Sequence, residues 1–197
     1  MISNNFKQRV ITSIFLLLLL ILFLRFEIIL VYSLIIFGVL AQLEFFQILT
    51  KIIKNNLYLI ISCISFSLYV FIFCLLFFIF YNFIHLKILL FTILLGCIGS
   101  DLGGYFFGKF FKGPKLTKIS PNKTYAGAIG GYFLSLISLT IITSYIDYPF
   151  LSVQFFITFI LISTTSQIGD ITVSYFKRKS KIKNTGKIIP GHGGLID

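Results

Sequence analysis

The sequence predicts an all-α integral membrane protein of about six transmembrane helices, and three observations carry that expectation. Of its 197 residues 57% are hydrophobic, with a mean hydropathy of +1.00. Only 12% are charged, against about a quarter in a soluble globular domain. The apolar residues gather in runs, several reaching the roughly 20 residues that cross about 30 Å of hydrocarbon. A soluble domain is excluded. The formal charge of +11 would suit nucleic acid in a soluble protein, but here the cations are first explained as loop residues that hold spans on the inner side. No nucleic-acid partner is expected.

Six apolar stretches are expected as spans: 10–24, 28–49, 57–84, 86–108, 126–146 and 150–173. The first is short. Lys7 and Arg9 before it give it the look of a secretory signal, but no small-residue cleavage site precedes Arg25 and Glu27, so it is expected as a retained span. The third has 28 residues, roughly 42 Å as a helix, and is either one tilted span or a hairpin of two, which would make seven helices. Charge favours six. With the N-terminus inside, every basic residue except Arg25 and Lys87 falls on the inner side, whereas splitting 57–84 leaves a weaker bias of 12 against five. Both termini and the polar segments 109–125 and 174–197 then face the cytoplasm, where they can build one site. With no internal repeat or linker, 1–197 is expected as a single membrane domain. Cys63, Cys74 and Cys97 sit in apolar runs without ligand or disulfide spacing and are expected as small core residues.

The six acids are informative because they are few. Glu27 and Asp147 fall in short turns and are expected as solvated charges. Glu44, in "AQLEFF" near the inner end of the second span, is equally a headgroup-level carboxylate or a functional one. Asp101, in "GCIGSDLGGYFFGK", lies inside a span, where a charge costs at least a few kcal/mol unless it faces a partner or a wet cavity. It is expected to face inward with a function. Gly99 and Gly103, Gly104 and Gly108, and Gly127 and Gly131 are four apart, and are expected to let helices approach closely.

Asp170 opens the run "GDITVSYFKRKSKIKN". If the last span continues as a helix, Asp170, Ser174, Lys177 and Arg178 lie on one face. An acid there can hold a metal ion and the cations can hold phosphate oxygens. Inner-side anchoring accounts for Lys179 and Lys181 but not for the acid. In "SPNKTYAGAIGG", Ser120, Lys123 and Thr124 precede a glycine-bearing helix whose free N–H groups can bind an anion, though the segment is equally an ordinary helix start. In the closing "PGHGGLID", Pro190 sets the entry, and Gly191, Gly193 and Gly194 permit positive φ, so that N–H groups can curl into an anion-binding nest. His192 can donate to a phosphate or act as a base, and Asp197 can join Asp170 around a divalent cation. A cationic, metal-bearing pocket at headgroup depth suggests phosphoryl or nucleotidyl transfer to or from a lipid.

The run Ser174, Lys177, Arg178, Lys183, Gly186, Pro190, Gly191, His192, Gly193, Gly194 and Asp197 closely resembles the signature of the phosphatidate cytidylyltransferase family, the CDP-diacylglycerol synthases. The "SPNKT" segment and "SDLGGYFFGKFFKG" resemble two further blocks of that family. The resemblance runs from Asp101 to Asp197, about half the chain, and marks 91–197 as the motif-bearing part and 1–90 as N-terminal spans. It implies a multi-pass enzyme of the inner (cytoplasmic) membrane that converts CTP and phosphatidate to CDP-diacylglycerol and pyrophosphate with Mg2+. It implies catalytic roles for Asp170, Lys177, Arg178 and His192. It implies substrate or phosphate contacts for Ser120, Lys123, Thr124, Ser174, Lys183, Gly191, Gly193 and Gly194, and metal ligation by Asp170, Asp197 and Asp101. A homodimer is expected from the resemblance alone.

The chain departs from the family pattern at Val173 and Ala126, where a glutamate is usual, and at Asn184, where an acid is usual. The pattern also continues beyond Asp197 with an arginine, a second aspartate and a membrane helix, so the chain is expected to be truncated relative to the family and less active for it. Two alternatives remain: a CTP-dependent polyprenol or lipid kinase, and an inactive homologue or transporter-like membrane protein.

Overall fold

The computed structural model describes residues 4–145, 153–186, 188–190 and 193–197. Among the described residues all regular structure longer than a single bridge is helical: α1 (Asn4–Arg25), α2 (Glu27–Ile52), α3 (Asn56–Asn82), α4 (Ile84–Phe111), α5 (Tyr125–Tyr145) and α6 (Val153–Lys179). Five of these, α2 to α6, are long and apolar enough to cross a membrane, and α1 carries a shorter apolar stretch over Ile11–Phe23. The all-α expectation holds. The 57–84 ambiguity resolves as one helix, α3, with no internal Gly or Pro to turn it back. The helices overrun the apolar stretches, since α1 starts at Asn4 and α4 reaches Phe111. Backbone hydrogen bonding continues past the point where side chains turn polar. The expected turn at Asp147 lies outside the described residues.

Leu57, Ile64, Leu68 and Phe71 on α3 are each about 60% exposed. In water, apolar surface left uncovered forgoes roughly 25 cal/mol per Å2, so a helix apolar on every side belongs in hydrocarbon. The chain is a membrane protein.

It divides into two compact units, residues 1–79 with 176–197, and residues 80–175. In the first, a break at Phe26, in extended backbone, turns α1 onto α2. Glu27 then stands in the first turn of α2, where a carboxylate suits the positive helix end. Gly38 lets α2 approach α3: a Cβ there would lie 3.2 Å from Val70. Phe45 stacks on Phe66 with ring centroids 3.8 Å apart, and Gln42 donates to the Cys63 carbonyl at 3.3 Å. Past Ser180 the chain leaves α6 through Lys181 at φ 56°, with Lys181 N–H donating to the Arg178 carbonyl and Ile182 N–H to that of Lys177. This closes the helix by the paired bonds of a left-handed C-terminal cap.

In the second unit α4 and α5 meet backbone to backbone. A Cβ on Gly103 would run into the Gly130 carbonyl, and one on Gly127 would lie 2.8 Å from the Gly104 carbonyl oxygen. The glycines thus serve close approach, as expected. Leu139, Phe155 and Ile162 form the buried core, with Ile93 and Cys97 packed against it. The three cysteines are free.

Candidate functional site

Within the second unit, α4, the 112–124 segment, α5 and α6 surround a cavity of about 230 Å3 lined by Ser100, Asp101, Gly104, Tyr105, Lys123, Thr124, Gly127, Gln167 and Asp170, among others. The local fold explains each contribution. After α4 ends, Lys112 (φ 52°) and Gly113 (φ 100°) reverse the chain. A short antiparallel contact follows, in which Leu116 N–H donates to the Lys123 carbonyl and Tyr125 N–H to that of Pro114. Thr124 then caps α5, its hydroxyl accepting from Gly127 N–H at 3.1 Å. This sets Lys123 at the positive end of α5, where its ammonium pairs with Asp170 at 2.6 Å.

Asp101 faces the cavity, as its place in a span required, and accepts from the Ser166 hydroxyl at 2.9 Å. Below it a polar seam joins the helices. Ser100 and Ser163 hydroxyls meet at 3.1 Å, and Gln167 donates to the Ala128 carbonyl at 3.2 Å and to Ser163 at 3.3 Å. Sequence reasoning missed Ser163, Ser166 and Gln167, although with Asp170 they fall at helical offsets of three, four and seven, one face of α6.

Within the first unit the closing hook is tied down by two carboxylates. Glu44, 2% exposed, accepts from the Thr185 hydroxyl and Leu195 N–H at 2.8 Å each, and from Ile196 N–H at 3.0 Å. Asp197 accepts from Lys177 at 2.8 Å, Thr185 N–H at 2.9 Å and Gly194 N–H at 2.8 Å. Burial works against the charge of Asp197, but the Gly194 N–H, Lys177 and the Thr185 N–H more than offset it and hold the carboxyl below its ordinary range. Its side chain is only 8% exposed.

At Gly193 and Gly194 the hook therefore differs from the expected nest. Gly193 has positive φ (120°), but its N–H donates back to the Ile189 carbonyl at 2.9 Å. Gly194 is not in the positive-φ region. A Cβ on it would collide with Glu44 and Thr185. The N–H groups of Gly193 and Gly194 are engaged by the Ile189 carbonyl and the Asp197 carboxylate, and a buried carboxylate needs such donors as much as a ligand does. Glu44, which sequence left undecided, is thus an internal anchor.

The remaining expected residues are placed as follows. Ser120 lies in the turn before α5, its carbonyl accepting from Lys123 N–H. Ser174 is half-buried on α6, Arg178 is exposed in the last turn of that helix, and Lys183 is exposed beyond it. Gly191 and His192 lie outside the described residues. Asp101 and Asp170 line one cavity; Asp197 is engaged in the first unit. Among the described residues no three His, Cys, Asp or Glu side chains cluster as a metal site.

The chain matches the model of the cytidylyltransferase family over residues 1–197. It is 38% identical over 111 residues to a phosphatidate cytidylyltransferase of Synechocystis sp., covering 55% of this chain and 38% of the relative. A phosphatidate cytidylyltransferase of Staphylococcus saprophyticus is 38% identical over 113 residues, 57% of this chain and 43% of the relative. One of Staphylococcus aureus is 43% identical over 100 residues, 50% of this chain and 38% of the relative. The matched part of the chain thus spans about two-fifths of the length of these curated relatives. No solved structure matches it. A cavity with two acids and a lysine at a helix start, in a membrane chain matched along its whole length by one family model, leads to one assignment: the chain belongs to the cytidylyltransferase family.

Proposed function

We propose that the chain belongs to an enzyme that transfers the cytidylyl group of CTP to phosphatidate, giving CDP-diacylglycerol and pyrophosphate. The observation that carries this reading is the cavity in which Lys123, Asp101 and Asp170 stand together at the N-terminus of α5. In the reaction a phosphatidate oxygen bonds to the α-phosphorus of CTP, the bond from that phosphorus to the bridging oxygen of the β-phosphate breaks, and the electron pair leaves with pyrophosphate. The ammonium of Lys123 and the positive end of α5 are suited to the triphosphate. At about 230 Å3 the cavity is below the roughly 300–1,000 Å3 of a site enclosing a whole drug-sized ligand. It suits the phosphates, with base and acyl chains outside.

The donor set fits Mg2+, which keeps several waters and takes one or two carboxylates plus substrate phosphates. Asp101 and Asp170 would hold it within the second unit. When bound, the ion supplies a Lewis acid that neutralises the triphosphate and the leaving pyrophosphate. Lys123 then exchanges its carboxylate partner for phosphate oxygens. Lys177, Arg178, Lys183, Ser174 and His192 are assigned to phosphate contacts on their charge and donors. Ser120 and the glycines of the hook shape the segments that carry them.

The inner, cytoplasmic side is assigned to 112–124 and 180–197 on the bias of basic residues, as are both termini. Membranes carrying the chain, given CTP labelled at the α-phosphate, phosphatidate and Mg2+, are expected to form labelled CDP-diacylglycerol. Label released as CDP with γ-phosphate on a lipid alcohol would instead make it a lipid kinase. The absence of both products from membranes that carry the chain would overturn the reading.

A further inference from the structure

Glu44 is 2% exposed, and the hydrogen bonds that reach it come from the closing hook, 141 to 152 residues later in the chain. Both of its carboxyl oxygens accept, and two of its three donors are backbone N–H groups, which cannot reverse. The hook is built around this acid. A Cβ at Gly186 or Gly194 would strike its oxygens, so both glycines are needed for lack of a side chain rather than for backbone freedom.

Thr185 links this anchor to the rest of the unit. Its hydroxyl donates to Glu44 and its N–H to Asp197, which in turn accepts from Lys177 at the end of α6. One hydrogen-bonded chain thus runs from α2 through Thr185 and Asp197 to a lysine assigned to phosphate. We propose that Glu44 is a positioning residue of the transferase, holding the hook so that Asp197 and Lys177 keep their geometry. The proposal rests on the cytidylyltransfer reading for its effect on rate.

The test is Glu44→Gln in the full chain in membranes. Gln matches the shape but turns an NH2 toward a backbone N–H whichever way it sits. Expected is a fall in kcat per folded protein on the order of 10- to 100-fold, the scale of small misplacements of reacting groups. Hydrogen exchange should speed up at Leu195, Ile196 and Thr185 while amides of α4 and α5 keep their protection. A merely structural role would lower abundance and leave kcat of the surviving protein unchanged. Thr185→Val, which removes the linking hydroxyl alone, should act in the same direction and combine with Glu44→Gln less than additively. It also serves if Glu44→Gln fails to accumulate. Unchanged kcat, or Leu195 and Ile196 amides as protected as in the unaltered chain, overturns the proposal. Should the unaltered chain make no CDP-diacylglycerol, the reaction reading falls, while amide exchange still decides whether Glu44 holds the hook.

Discussion

The ammonium of Lys123 stands 2.6 Å from a carboxylate oxygen of Asp170, tying the turn before α5 to the middle of α6. Side-chain exposures of 26% and 48% put the pair in the class of exposed ion pairs, worth about 0–1 kcal/mol. So weak a tie is a poor structural reason for placing an acid near a membrane span. Asp170→Asn should therefore leave accumulation and thermal midpoint nearly unchanged. Cytidylyl transfer should fall on the order of 100-fold or more, as when a single charge-stabilising group is removed. Equal loss of abundance and activity would return the pair to a structural role.

Gly103 and Gly169 make a matched contrast. A methyl group at Gly103 meets the Gly130 backbone, whereas one at Gly169 meets nothing within 4 Å. Gly103→Ala must part α4 from α5 and should destabilise by about 1–3 kcal/mol, read as reduced accumulation and a lower unfolding midpoint in detergent. Gly169→Ala should accumulate normally. Equal tolerance at both would mean the helices do not meet as described.

Asp197 makes the hook pH-dependent, and the sign follows from its lowered carboxyl. The stabilisation is fully present above the ordinary aspartate value of about 3.9 and is lost as pH falls through the lower folded value. Amide exchange at Thr185 and Gly194, corrected for intrinsic rates, should stay slow from neutral pH down to about 4 and accelerate below. Asp197→Asn should lack that step; an identical acid profile in the variant would assign it to another group.

Orientation is testable by thiol labelling in a form with Cys63, Cys74 and Cys97 replaced by Ala. A cysteine at exposed Lys118 or Lys183 should react with a membrane-impermeant maleimide only after permeabilisation, and one at Phe83, 61% exposed, on intact cells. The reverse pattern would invert the topology.

The fold class and the helices were legible in the sequence because hydropathy is a property of each residue against hydrocarbon, needing no knowledge of neighbours. The inward placement of Asp101 was legible for the same reason: a carboxylate in a span has to find a polar partner. The continuity of α3 was legible from charge, since splitting 57–84 would flip the parity of every later crossing and weaken the inner-side bias. The role of Glu44 was not, for a lone acid near a span end looks the same whether it meets water or a distant hook. Nor were the partners of the hook glycines, for Gly193 N–H turns back to the Ile189 carbonyl and Gly194 N–H meets the protein's own Asp197. Sequence by itself determined the medium, the helices and the acids and cations with chemistry to offer. Only the tertiary structure decided which of them meet, because Lys123 with Asp170 and Glu44 with Thr185 are 47 and 141 residues apart. Contacts at such separations are set by how helices pack, which no local pattern encodes.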